Sequence, residues 1–128
     1  MSTMPITAVI AGVFALLLVL LSVPVSIRRA STNTVFGDGN DATLRRRIRA
    51  HGNFVEYAPL ALIAVGLTEY RGAAAWLVWS LGAAFVASRL LHALGMLFGS
   101  TPTARAIAML VNHASFVFAG VWLIVHSL

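Results

Sequence analysis

Cysteine is absent from this 128-residue chain, lysine is absent too, and only four carboxylates are present. Without cysteine there is no disulfide framework, no thiolate metal site and no cysteine nucleophile. Any thiol chemistry must use a thiol that a ligand brings in. Charge is scarce overall, at 10% of residues against 59% hydrophobic, whereas soluble domains carry about 25% charged residues. That balance excludes an ordinary water-soluble domain. No basic residue precedes the first apolar block, which is also longer than a typical signal-peptide core, so the expectation is a retained helix rather than a cleaved leader.

What is present is apolar sequence in four long blocks. Met4 to Ile27 carries no charge. Ala50 to Thr68 is broken only by His51, Asn53 and Glu56. Ala73 to Gly99 is interrupted late, by Arg89 and His92. Ala106 to Leu128 has neither carboxylate nor arginine. A spanning helix needs roughly 20 apolar residues, and each block meets that length. The sequence predicts an all-α, up-down bundle of four transmembrane helices near 4–28, 43–68, 73–98 and 103–127. It forms a single membrane domain over 1–128. Asp41-Ala42-Thr43 offers the second helix an N-cap. The first link, Ala30 to Ala42, is rich in turn formers and reads as an ordered surface loop. Glu69-Tyr70-Arg71-Gly72 reads as a tight turn. In Gly99-Ser100-Thr101-Pro102-Thr103 a helix-ending glycine precedes a proline near the next helix start.

The net charge of +5 comes entirely from arginine. Nucleic acid is a poor partner for this pattern, because the arginines follow topology. Arg28, Arg29, Arg45, Arg46, Arg47 and Arg49 flank the first link, and Arg89 and Arg105 flank the third. Only Arg71 belongs to the second. By the positive-inside rule the first and third links face the cytoplasm and both termini face outward. A multi-pass protein of a bacterial inner membrane is the expected location.

The polar residues inside the blocks gather at the arginine-rich end. Arg45, Arg49, Asn53 and Glu56 are spaced by four, four and three, one stripe along a helix. Glu56 lies roughly 10 Å deeper than Arg49. Arg89 and His92 share a face in the third helix. Ionisable groups at bilayer depth are costly and mark sites. Structural readings exist for several of them. Arg28, Arg46 and Arg47 suit snorkelling anchors, and Glu56 could form an internal ion pair with Arg49 or Arg89. His113 reads as a packing residue and His126 as an interfacial one. Trp76, Trp79 and Trp122 read as lipid-facing, and Pro24 and Pro59 as helix kinks. Ser80, Ala84 and Ser88 form a small-residue stripe suited to close helix packing.

Several arginines, one carboxylate and one asparagine suit a small zwitterion of net negative charge. Arginines clamp its carboxylates, and the glutamate takes its ammonium group. These electrostatics permit glutathione without singling it out. A nearby arginine would lower its thiol pKa from about 8.5. Two other readings use the same residues. One is a small exporter with Glu56 as its proton-coupled carboxylate, although the surrounding arginines would repel cations. The other is a haem-binding bundle using His51 and His92, crowded by Arg49 and Arg89.

The string Arg49-Ala50-His51-Gly52-Asn53-Phe54-Val55-Glu56-Tyr57-Ala58-Pro59 resembles the signature of the MAPEG family, the membrane-associated proteins in eicosanoid and glutathione metabolism. The resemblance extends over nearly the whole chain, through the long first link, the Arg-x-x-His of helix three and the arginine opening helix four. It implies a homotrimer that binds glutathione between subunits near the cytoplasmic side and acts on lipophilic electrophiles in the bilayer, as a transferase or peroxidase. By that resemblance Arg49, Asn53, Glu56 and Tyr57 bind glutathione, with Arg28 or Arg29 on a carboxylate. Arg89 and His92 contribute from helix three, and Arg105 stabilises the thiolate. Two positions depart from the specialised synthases of the family. Met96 stands where they have a tyrosine, and Ala106 where the prostaglandin synthase has a serine. A general bacterial member suits the chain better than an eicosanoid synthase, and a member that binds glutathione with little turnover remains open.

Overall fold

The computed structural model describes residues 4–99 and 102–128. They form four α-helices: α1 (Pro5–Thr32), α2 (Ala42–Tyr70), α3 (Ala75–Leu97) and α4 (Pro102–Val125). Consecutive helices pack on one another, and α1 also touches α3 while α2 touches α4. Helices α2 and α3 therefore make the shared spine, with α1 and α4 on its two flanks. Three helices, α1, α3 and α4, are long and apolar enough to cross a membrane. The exception is α2, whose first turns carry the arginine run. Its 29 residues still span about 43 Å, enough for a hydrocarbon core of about 30 Å.

Helix ends follow local chemistry. Pro5 opens α1, where a missing N–H costs nothing. α1 runs a turn beyond the boundary expected near residue 28 and stops where Asn33 turns left-handed, at φ 51°. Asp41 caps α2 as expected, accepting from the Leu44 N–H at 2.6 Å. Gly39 in the first link combines φ +55° with a close approach, since a Cβ there would lie 2.8 Å from Thr34 Oγ1. Pro102 opens α4, while Ser100 and Thr101 of the third link lie outside the described residues.

The first link is an ordered, ion-paired loop. Arg28 donates to both Asp41 oxygens, at 2.6 and 3.3 Å, and Arg45 donates to Asp38 at 2.5 Å. Arg29 donates to the carbonyls of Thr34, Val35 and Gly37. At the opposite end Glu69 does something its sequence position did not announce. It reaches from α2 to the start of α1, accepting from the N–H groups of Ile6 (3.0 Å) and Thr7 (2.7 Å) and from the Thr7 hydroxyl (2.6 Å). A first helical turn has orphan donors, and here a neighbouring helix satisfies two of them. Arg71 donates to the His126 carbonyl at this same end.

The core is built from small and aromatic side chains. Ala50, Ala58, Ala61 and Ala64 give α2 a buried seam, with Phe54 meeting Phe14 edge-on at 5.6 Å. Such small residues let membrane helices approach closely. The tightest approaches are at glycines: a Cβ on Gly82 would lie 2.8 Å from Ile10, and one on Gly95 would lie 3.0 Å from Arg105 Cγ. In the serine–alanine stripe of α3, Ser88 is buried, Ala84 half-buried and Ser80 exposed, so the stripe is not one continuous seam within the subunit. Trp76 and Trp79 face outward.

Two outcomes follow. Glu69→Ala leaves α1 uncapped and is expected to cost about 0.5–2 kcal/mol, the usual range for a lost N-cap, read as a lower melting temperature in detergent. The Arg45 guanidinium holds Asp38, and the Arg28 guanidinium holds Asp41, below the ordinary carboxyl value of 3.8. Their contribution is therefore present above that value and lost as pH falls below it. A spin label on Phe36→Cys, unique in this cysteine-free chain, is expected to gain mobility below about pH 4 and to stay constant from about pH 5 upward.

Candidate functional site

Ala50, Phe54, Ala58 and Ala61 turn one face of α2 into the core, which leaves the adjoining stripe of Arg49, Asn53 and Glu56 facing a cavity of about 310 Å³. Ile48, Gly52, and His92 and Met96 of α3 complete its lining. The volume lies at the lower edge of the roughly 300–1,000 Å³ typical of small-ligand sites. Arg45, the outermost member of the stripe, is diverted to Asp38 in the first link.

Both ion pairs among the described residues, Arg28–Asp41 and Arg45–Asp38, belong to the first link. Glu56 forms neither of the internal pairs that a structural role would call for, and its carboxylate faces the cavity beside Arg49. A cavity lined by a carboxylate and a guanidinium that have no ion-pair partner among the described residues can orient a zwitterion.

Behind it lies Arg89, only 3% exposed. Its guanidinium donates to Asn53 Oδ1 at 2.5 Å, to Ser88 Oγ at 3.4 Å and to the Met109 thioether at 3.6 Å. Its carbon sits 4.8 Å from the Tyr57 ring centroid, a cation–π distance. With its carbonyl taken by Arg89, Asn53 donates one amide N–H weakly to Met109 sulfur at 3.9 Å, and the other has no partner among the described residues. Arg89 and Tyr57 thus back the site rather than line it. Tyr57 is held in turn by edge contact with His113 at 5.9 Å.

Arg105 enters from α4 where Gly95 leaves room, and its Nη1 donates to Met96 sulfur at 3.3 Å. Its Nε is buried with no partner among the described residues. Arg28 and Arg29 are engaged in the first link and do not line the cavity. Of the two histidines considered as a pair, His92 lines the cavity and His51 does not.

Met109 was not singled out by the sequence. It stands one turn beyond Arg105, a spacing that puts it on the same face, and that register was the available signal. Its thioether ties α4 to both Asn53 and Arg89.

Replacing Asn53 by Leu removes the shortest hydrogen bond of the Arg89 guanidinium. Hydrogen bonds to charged groups contribute about 1.5–3 kcal/mol, so Asn53→Leu is expected to lower the melting temperature markedly. Asn53→Gln, which keeps the carbonyl, should recover part of the loss.

A profile of the MAPEG family matches residues 7–125. The inner membrane protein YecN of Escherichia coli strain K12 is 38% identical over 90 residues, 70% of this chain and 69% of that protein. The protein of the same name from Escherichia coli O6:H1 strain CFT073 gives the same figures. No solved structure matches. With the match running through all four helices and the stripe Arg49, Asn53 and Glu56 inside it, this multi-pass integral membrane protein belongs to the MAPEG family.

Proposed function

We propose that the cavity binds glutathione and that the protein joins the glutathione sulfur to lipophilic electrophiles dissolved in the bilayer. The observation that carries this reading is the unpaired Glu56 carboxylate facing the same cavity as Arg49, Asn53 and His92. Glutathione has two carboxylates, an ammonium group, amides and a thiol. Glu56 takes the ammonium group, Arg49 a carboxylate, and the remaining amide N–H of Asn53 a carbonyl. Arg89 is not spent on the ligand. It fixes the Asn53 carbonyl and so presents the amide end of that side chain.

Arg105, which touches the cavity wall at Met96 without lining the cavity itself, is the cation assigned to the thiolate. The thiol proton leaves through the polar mouth of the site, and the sulfur then bonds to the electrophilic carbon. The electron pair displaced there departs with a leaving anion or, for an activated alkene, moves to the neighbouring carbon, which takes up a proton. Other parts of the reading are a homotrimer with the site between subunits, where Arg28 or Arg29 of a neighbour could reach it, and a cytoplasmic arginine-rich end. The eight-to-one distribution of arginines supports that orientation.

One contact favours a second reading, a glutathione binder with weak turnover. Arg105 already donates to the Met96 thioether, and Ala106 beside it brings no hydroxyl. An arginine held by a methionine has less freedom to follow a thiolate.

Titration calorimetry in detergent separates these cases. Wild type is expected to bind glutathione, and Glu56→Gln to bind it at least about tenfold more weakly, the loss of one charge-assisted contact. Conjugation of a lipophilic electrophile that falls with Arg105→Ala while binding persists supports the transferase. Binding without conjugation supports the second reading. No binding in wild type overturns both.

A further inference from the structure

A second concavity, of about 230 Å³, lies at the arginine-rich end where α1, α2 and α3 meet. Its lining is divided by chemistry. Thr43, Arg46 and Arg47 of α2 supply a hydroxyl and two guanidinium groups, while Pro24 of α1 and Leu97 and Phe98 of α3 supply apolar walls. None of these residues lines the cavity that holds Glu56.

The charge balance is decisive. All four carboxylates of the chain have other work: Asp38 pairs with Arg45, Asp41 with Arg28, Glu69 caps α1 at the far end, and Glu56 faces the other cavity. No carboxylate is left for Arg46 and Arg47. Two uncompensated cations on one concavity call for an anion from outside the chain. Arg47 is also held in place, donating to the Pro24 carbonyl at 3.0 Å, so part of its ordering is already done before any ligand arrives.

The apolar wall points to the kind of anion. Phe98 is 82% exposed, and Leu20 and Leu94, one turn deeper than Pro24 and Phe98 on the same helix faces, are 66% and 52% exposed. Helical register makes these a continuous greasy path leading from the guanidinium groups down α1 and α3. A free inorganic anion has no use for such a path, whereas a lipid has a phosphate at one end and acyl chains at the other. Basic pockets between membrane helices bind anionic headgroups on these grounds. We infer that the Arg46–Arg47 concavity is a binding site for the phosphodiester headgroup of an anionic membrane lipid, its acyl chains lying along Leu20 and Leu94.

Native mass spectrometry of the purified protein, with phosphatidylglycerol or phosphatidylcholine added to the detergent, tests this. Wild type should retain phosphatidylglycerol in preference to phosphatidylcholine. Arg46→Gln should lower that retention about fivefold, and Arg46→Gln with Arg47→Gln about twenty-fivefold, since each arginine near the surface is worth about fivefold. Arg45→Gln, in the same run but paired with Asp38, should leave retention nearly unchanged. Arg46 is exposed and makes no hydrogen bond or ion pair among the described residues, so the single variant remains readable if the double one unfolds. Equal retention of the two lipids overturns the inference, and so does an equal loss in Arg45→Gln, which would mean diffuse attraction to the whole arginine run. Displacement by inorganic phosphate at the lipid's own concentration overturns it in favour of a free-phosphate site. A changed oligomeric state with lipid retention intact overturns it in favour of a second copy of the chain covering this face.

Discussion

A guanidinium group cannot lie unsatisfied in the middle of a helical bundle, and Arg89 organises this one because of that constraint. Desolvating a charge is expensive unless donors find acceptors, and the chain places no carboxylate next to Arg89. Two neighbouring helices share the task instead. Asn53 of α2 offers a carbonyl, Met109 of α4 a thioether, and the Tyr57 ring of α2 a π-face. The arrangement locks α2, α3 and α4 at one depth. It also fixes the orientation of Asn53, a side chain that lines the neighbouring cavity.

The distribution of carboxylates extends the same logic. With nine arginines and four carboxylates, pairing is a matter of allocation. Two carboxylates are used to order the first link over the arginine-rich end. One is used at the opposite end to cap a helix to which it does not belong. The fourth, Glu56, is left facing a cavity. A carboxylate paired with no arginine among the described residues is the observation on which the proposed site rests. The same allocation leaves Arg46 and Arg47 uncompensated on another face.

Glycine and alanine set the distances at which these groups meet. Gly95 admits Arg105 from α4, and a side chain there would press on its Cγ. Gly82 admits Ile10 from α1 in the same manner. Along α2 the alanine seam keeps the helix close to its neighbours while the stripe beside it remains open. Packing and site therefore depend on adjacent faces of one helix, and α2 can carry many polar residues because α1 and α3 cover its flanks.

Much of this was legible in the residues themselves. Hydropathy blocks specify four helices because a bilayer demands long apolar runs. The Asp41 cap, the turn-rich first link and the gathering of Arg49, Asn53, Glu56 and His92 at one depth follow from helical period and alternation of direction. Other features follow no local rule. That Arg45 leaves its stripe for Asp38, that Arg89 stands behind Asn53, that Met96 and Met109 receive the arginines, and that Glu69 caps α1 are choices among partners brought near only by packing. A sequence states which groups need partners, because desolvation is a property of each residue. Which partner each one takes depends on distances between helices, and those are set only when the faces close on one another.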